Sequence, residues 1–86
     1  MTRKEKGFAE VLLAAPGVPV SRETMYARVY RSELRQGDRT VDVYIGKLRK
    51  KISQLTGGVF EIDHMKGMGY TIRRNVIDEE IFPGMN

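Results

Sequence analysis

The residues best suited to bind a ligand are the cations in the stretch DRTVDVYIGKLRKK, residues 38–51. Residues 39–51 carry five basic side chains and one acidic side chain, a net charge of +4. The net charge of the whole chain is also +4, and residues 75–86 carry three acidic side chains and no basic one. Positive charge concentrated in one segment favours a polyanionic ligand.

Residues that could support catalysis or bind a metal are few. The chain has no cysteine, and its one histidine is His64. Glu61 and Asp63 precede that histidine on a predicted strand, where neighbouring side chains point to opposite faces. No set of a nucleophile, a base and an orienting residue can be assembled. We therefore expect no enzymatic activity, no metal and no cofactor.

Two helices are predicted ahead of the cationic segment. Thr2 and Glu5 have the spacing of a capping box, so a first helix begins there and ends at Pro16–Gly17. Glu5 and the periodic apolar positions argue against a signal peptide. The valines around Pro19 predict an extended stretch. Ser21 is a favourable N-cap for a second helix that ends between residues 31 and 34.

The cationic segment itself predicts a third helix over residues 39–55, with Asp38 as its cap and Gly57 and Gly58 after its end. Apolar residues recur every three or four positions and predict a core stripe of Val41, Ile45, Leu48, Ile52 and Leu55. The opposite half of the helix has no acidic residue. It is predicted to carry Thr40, Val43, Tyr44, Lys47, Lys50, Lys51 and Gln54.

The stretch VFEIDHMKGMGYTIRR predicts a β-hairpin, because apolar and polar residues alternate on both sides of residues 66–69. Ile62 and Ile72 would face the core, and Thr71 would face outward. The fold class is therefore α+β, three helices followed by a hairpin. Physically, a helix with one packed face and one cationic face suits the major groove of B-DNA, which is about 12 Å wide.

Three segments together resemble a known family: SRETMYARVY, then RTVDVYIGKLRKKI, then IDHMKGMGYTI. They are similar to the OmpR/PhoB-type winged-helix DNA-binding domain of bacterial response regulators. The resemblance covers about residues 2–74. It implies a small winged helix-turn-helix whose third helix enters the major groove and whose hairpin, the wing, at residues 60–73, reaches the minor groove.

The resemblance also implies roles for single residues. Tyr30 stands at a position on the second helix where the family usually has Trp, and the resemblance implies that it contacts a phosphate. Lys66 stands at the wing tip, where the family usually has Arg. Tyr70 matches the wing tyrosine. The DNA-facing positions of the helix match Arg39, Thr40, Val43, Tyr44 and Lys47, and its backbone-contacting basic positions match Arg49 and Lys50.

Other features depart from the family pattern. The chain begins at the first helix, so we expect a stand-alone domain over residues 1–74 without a receiver domain or an N-terminal sheet. Gly46 lies inside the third helix, at a cost of about 1 kcal/mol relative to Ala. It either permits close approach of a neighbour or is a tolerated weakness. Residues 75–86 form an acidic and apolar tail. It would cover apolar surface left bare by the missing sheet, dock on a second copy or another protein, or be disordered.

These features predict a sequence-specific regulator of transcription that binds double-stranded DNA. The alternative is a winged-helix interaction module that binds a regulator, RNA polymerase or a host protein with little or no DNA binding. A replication or recombination accessory protein is a third possibility. Further partners would be a second copy, as a dimer or in tandem, RNA polymerase or another regulator. No association with a membrane is expected. A bacterial or phage protein in the cytoplasm, associated with the nucleoid, is expected.

Overall fold

A computed structural model of the chain describes residues 1–75. Its elements are helices α1 (Arg3–Leu13), α2 (Arg22–Tyr30) and α3 (Thr40–Leu55), followed by strands β1 (Phe60–Met65) and β2 (Gly69–Arg74). The predicted order of three helices and a hairpin is confirmed. The predicted tail lies outside the described residues from position 76 onward.

The first helix begins at the capping box predicted from the sequence. The Glu5 backbone N–H donates to Thr2 Oγ1 at 3.2 Å, and the Thr2 backbone N–H donates to Glu5 Oε1 at 2.8 Å. The second helix begins at the predicted Ser21 cap, whose Oγ accepts the Thr24 N–H. It ends at Arg31, which has a left-handed backbone with φ of 60°.

The start of the third helix differs by one residue from the expectation. Arg39 occupies the N-cap position and its side chain makes no capping hydrogen bond. Asp38, one residue earlier, still satisfies the helix start, because its Oδ1 accepts the Thr40 backbone N–H at 2.8 Å. The carboxylate therefore acts as predicted, but from one position further outside the helix.

The strands form an antiparallel hairpin in which Ile62 pairs with Ile72. The extended stretch after α1 adds a single bridge, in which Val20 and Tyr70 exchange backbone hydrogen bonds of 2.7 and 2.9 Å. Gly69 lies against this stretch with φ of 117°, and a Cβ there would be 2.0 Å from the Val20 carbonyl oxygen. Only glycine fits at that position.

The core lies where the three helices and the inner face of the hairpin meet. Four residues of the predicted α3 stripe are buried, and they pack with residues of the other elements: Phe8, Ala9, Leu12, Met25, Val41, Ile45, Leu48, Ile52, Ile62, Tyr70 and Ile72. The prediction for Leu55 was wrong, because this side chain is 70% exposed. It lies in the last turn of α3.

Alternation along the second strand was also predicted incorrectly at one position. Thr71 was expected to face outward but is only 5% exposed, and its Oγ1 has no hydrogen-bond partner among the described residues. On the partner strand, Asp63 pairs with Thr71, and the Asp63 carboxylate accepts a hydrogen bond from Arg73. The structure gives no physical account of the unpaired hydroxyl.

An ion pair between a buried carboxylate and a half-exposed lysine joins α1 to α3. Lys51 was assigned to the outer half of α3, but its Nζ donates to Glu5 Oε1 and Oε2 at 2.8 and 2.9 Å. Glu5 is 1% exposed. The Lys51 ammonium and the Thr2 backbone N–H lower the pKa of the Glu5 carboxyl from 4.5 to about 2.

No helix among the described residues is long and apolar enough to cross a membrane.

The lowered pKa of Glu5 predicts a loss of stability in acid. A carboxyl whose folded pKa is depressed stabilises the fold above its unfolded pKa, and that stabilisation disappears as pH falls from 4.5 towards about 2. The melting temperature of the wild type should therefore exceed that of Glu5→Gln at neutral pH, and the difference should shrink across this window.

Thermal melts of both proteins between neutral pH and pH of about 2 measure the difference. Glu33→Gln, which removes an exposed carboxylate, is the control. A difference between wild type and Glu5→Gln that stays constant through the acid range would contradict the role of the ion pair.

Candidate nucleic-acid interface

The outer face of α3 is open to solvent along most of its length. Val43 is 54% exposed, and Arg39, Lys47, Arg49 and Lys50 are exposed. These side chains lie on the side of the helix opposite the buried stripe or on its flanks. The face therefore combines cations with an apolar side chain, as a surface that contacts phosphates and base edges requires.

Two tyrosines on this side are anchored to the core. Tyr44 and Tyr30 are half-buried, and both rings pack against Phe8, with centroid distances of 5.4 and 6.3 Å. Burial raises the pKa of Tyr30 to about 12, and the neighbouring Tyr44 phenol adds to the shift. Tyr30 therefore remains a hydrogen-bond donor at neutral pH. Tyr44 contributes part of its ring to the core and part to the outer face.

The first turn of α3 holds a carboxylate that connects three elements. Asp42 accepts hydrogen bonds from Tyr70 Oη at 2.7 Å, from Arg22 at 3.0 Å and from Arg39 Nε at 3.1 Å. Partial burial alone would raise the pKa of Asp42, but the hydrogen bonds from Tyr70 and Arg22 outweigh it and lower that pKa. Asp42 therefore stays ionised and holds α2, α3 and the hairpin in one arrangement.

Arg22 is a candidate residue that the sequence analysis did not identify. It lies in the first turn of α2, twenty positions before Asp42, and its side chain is 48% exposed beside that carboxylate. The sequence carried a weak signal, since Arg22 belongs to the segment SRETMYARVY. Its proximity to the start of α3 depends on tertiary packing, which no local pattern encodes.

The hairpin presents one cation and buries its tyrosine. Lys66 is exposed in the turn between β1 and β2, as the resemblance implies for a wing tip. Tyr70 is 8% exposed, and burial together with the hydrogen bond to Asp42 raises its pKa to about 12. The exposed His64 ring lies 4.9 Å from the Tyr70 ring. Tyr70 thus contacts the protein through its hydroxyl, and His64 covers its ring.

The second half of α3 borders a groove along the hairpin. This groove has a volume of about 380 Å³ and lies between α3 and β1. Its lining comprises Arg49, Lys50, Ser53, Gln54, Glu61 and Ile62. Two cations therefore stand at the rim where the helix meets the wing.

The cations of the interface fall into two groups. Arg22 and Arg39 form ion pairs with Asp42. No acidic side chain of residues 1–75 forms an ion pair with the other four cations, Lys47, Arg49, Lys50 and Lys66. The second group is thus available to neutralise an external anion.

Gly46 lies on the exposed side of α3, and a Cβ built there meets no atom of the protein within 4 Å. Packing within the described part of the chain therefore does not require a glycine at this position. The open space excludes one of the two explanations for Gly46, namely that glycine is needed for close approach of a neighbouring part of the same domain. A tolerated weakness and close approach of a bound ligand are both consistent with the open space.

The comparison with protein families shows to which family the chain belongs. Residues 1–72 match the family described as "Transcriptional regulatory protein, C terminal". This match covers most of the chain, and the chain belongs to that family. The suspected resemblance to the OmpR/PhoB-type effector domain is confirmed. The family is one of transcriptional regulatory proteins and not a class of enzymes.

Curated relatives match at similar levels of identity. Transcriptional regulatory protein YxdJ of Bacillus subtilis is 33% identical over 73 residues, covering 85% of this chain and 31% of YxdJ. Transcriptional regulatory protein CreB of Escherichia coli is 34% identical over 73 residues, covering 85% of this chain and 32% of CreB. The chain thus spans about a third of the length of these relatives.

A solved structure establishes the fold. The DNA-binding domain of Klebsiella pneumoniae RstA, in complex with the RstA box, matches with a TM-score of 0.73 and 22% identity. The match covers 85% of this chain and 72% of the RstA chain. The three helices and the hairpin are therefore a winged helix, and the predicted fold class is confirmed.

The hydrogen bond between Tyr70 and Asp42 should couple the hairpin to α3 energetically. Asp42→Ala removes the acceptor and Tyr70→Phe removes the donor, so their effects on the free energy of unfolding should not add. We expect a coupling free energy of about 0.5–3 kcal/mol in a double-mutant cycle measured by denaturant unfolding.

A control cycle pairs Tyr70→Phe with Thr2→Ala, which breaks the cap of α1 and shares no partner with Tyr70. These two effects should add within about 0.5 kcal/mol. The same additivity in the Asp42 cycle would mean that the carboxylate does not hold the wing.

Proposed function

We propose that this chain binds double-stranded DNA in a sequence-specific manner and regulates transcription. The observation that carries the proposal is the exposed cationic face of α3, which the buried stripe fixes to the core. Membership of a family of transcriptional regulatory proteins supports it. The RstA structure, which contains a winged helix bound to its DNA box, supports the same mode of binding.

In this proposal, α3 enters the major groove with its exposed face toward the base edges. Val43 and Lys47 are exposed and would face the groove floor, with Thr40 and Tyr44 half-buried beside them. Arg39 lies at the helix start, oriented by its ion pair with Asp42. A lysine can donate to guanine O6 and N7, and an apolar side chain can contact the methyl group of thymine.

The remaining residues would position the protein on the sugar-phosphate backbone. Arg49 and Lys50, at the rim of the face, form no ion pair with a carboxylate of residues 1–75, and Lys66 would extend to the minor groove from the hairpin turn. Tyr30 would donate to a phosphate from the end of α2. Tyr70 would support the interface without contacting DNA through its hydroxyl, because that hydroxyl already donates to Asp42.

The proposal includes no catalysis and no cofactor. It places the protein with chromosomal DNA in the cytoplasm, and leaves a second copy, RNA polymerase or another regulator as further partners. The alternative is an interaction module with little DNA binding. Exposed apolar side chains such as Val18 and Leu55 favour it weakly, since single exposed apolar residues are common on monomeric proteins.

A salt titration of duplex binding tests the proposal against its alternative. The interface has two arginines paired with Asp42 and four cations that pair with no carboxylate of residues 1–75. About four to six phosphates should therefore be neutralised, which gives a log–log slope of about −4 to −5. Binding to a random duplex, followed by fluorescence anisotropy at increasing salt, measures this slope. Absence of affinity at about 50 mM salt would favour the interaction module.

Two single substitutions separate base reading from phosphate contact. Lys47→Ala should relax the sequence preference, because in the proposed complex its side chain would face the groove floor. Lys50→Ala should weaken specific and random DNA alike and reduce the salt slope by about 1. Selection of bound sites from a random DNA pool, performed on both variants, gives the preferences. An unchanged preference for Lys47→Ala would mean that the groove-facing side of α3 has been misassigned.

A further inference from the structure

A second cationic surface lies between α1 and α2. It is a groove of about 500 Å³ whose floor is apolar and includes Val11 and Val29, with Gly7 close to Val29. Five basic side chains and one acidic side chain, Glu10, line it together with Ala14. The basic residues are Arg3, Lys4, Lys6, Arg28 and Arg31. We call this surface the α1–α2 groove.

The α1–α2 groove lies on the side of α1 that faces away from the core. On α1, Phe8 and Leu12 are buried toward the core and α3, whereas the groove residues of that helix lie on its other side. Lys4 lies over Tyr30 and so borders the proposed DNA interface, whereas Arg3, Lys6 and Glu10 lie on the far side of α1 from the core. The cations of the groove need a separate explanation.

The charges of the groove are not compensated within the described part of the protein. Arg22, Arg39, Lys51 and Arg73 form ion pairs with carboxylates of residues 1–75, whereas none of the five groove cations does. Lys4 lies over the Tyr30 ring at 4.1 Å, which stabilises the ammonium without neutralising it. The groove therefore carries a net charge of +4 around an apolar floor.

Arg31 has a backbone conformation that would favour glycine, so the fold alone does not explain an arginine at this position. Its backbone is left-handed, with φ of 60° and ψ of 36°, and it is the one non-glycine residue with positive φ among residues 1–75. Glycine adopts this conformation without steric strain. The exposed Arg31 side chain extends the row of cations that begins with Arg28, so a ligand of the groove gives a reason for arginine at this position.

We propose that the α1–α2 groove binds residues 76–82 of the same chain. This segment has the chemistry complementary to the groove, because three consecutive acidic residues, 78–80, are flanked by Val76, Ile77, Ile81 and Phe82. Its charge of −3 meets the charge of +4, and its apolar residues match the apolar floor. A tethered segment that can span the distance to its groove has an effective concentration of about the millimolar range, which favours its own groove over that of a second copy.

The test uses the full chain with a spin label. Because the protein has no cysteine, Gly84→Cys provides a single attachment site just after the segment. In a ¹⁵N-labelled sample we expect the label to broaden the amide signals of Gly7, Val11 and Val29. The broadening should disappear at about 1 M salt, where the screening length is about 3 Å.

Charge substitutions identify the contact. Arg31→Gly should abolish or reduce the broadening while the melting temperature stays equal or rises by a few degrees, since glycine relieves the left-handed strain. Arg28→Glu should also remove the broadening, and Glu79→Lys added to Arg28→Glu should restore it. Arg35→Ala removes an exposed cation outside the groove and should leave the broadening unchanged.

Three results would overturn the proposal. One is the absence of broadening in the wild-type sequence at low salt. Another is equally strong broadening of the ¹⁵N signals when spin-labelled ¹⁴N protein is mixed with ¹⁵N protein that carries no label, which would mean that a second copy supplies the segment. The third is a shift of the groove signals on addition of random duplex DNA with no effect of the label, which would make the groove a site for nucleic acid.

Discussion

Packing of the apolar stripe of α3 against the other helices is the constraint on which the rest of the structure depends. Val41, Ile45 and Leu48 are each at most 1% exposed, and Ile52 continues the row with 6%. Burial of side chains of this size stabilises the fold by about 1.5–3 kcal/mol each. Because this row faces inward, helical geometry places Val43, Lys47 and Lys50 outward with no further interaction required. The same packing thus fixes the core and presents the cations.

Rotation of α3 about its axis is limited by polar contacts at both ends. Near its start, Asp42 accepts the Tyr70 hydroxyl and two arginines, and near its end Lys51 binds the buried carboxylate of Glu5. Buried ion pairs contribute little net stability, but an unpaired partner is costly. A turn of the helix that broke either contact would leave a charge unsatisfied. These contacts therefore favour one orientation of the outer face.

The sequence predicted the features that depend on local chemistry. The capping box of Thr2 and Glu5, the Ser21 cap and the hairpin were all readable, because each depends on residues a few positions apart. Leu55 was assigned to the core because periodicity shows which side of a helix is apolar but not where its neighbours end. Lys51 was assigned to the outside for a related reason, since its partner is 46 positions away.

The candidate site was predictable to the same extent. Residues of α3 could be identified from the spacing of charges, and the outer positions from the buried stripe. Arg22 could not be identified in this way, because its relation to Asp42 depends on how α2 crosses the start of α3. The burial of Tyr70 and the anchoring of Tyr44 on Phe8 likewise depend on tertiary packing.

The arrangement of charge divides the work of recognition between two kinds of cation. Arg22 and Arg39 are held beside one carboxylate, so they lose less side-chain freedom when a ligand binds, but their charge is partly neutralised. Lys47, Arg49 and Lys50 form no ion pair with a carboxylate of residues 1–75, so in the proposed complex with DNA they would contribute more to counterion release. In the proposed complex, the cations paired with Asp42 would therefore favour a defined geometry of contact with DNA, and the other cations would favour affinity for DNA. A face built only from the second kind would bind any duplex well and distinguish sequences poorly.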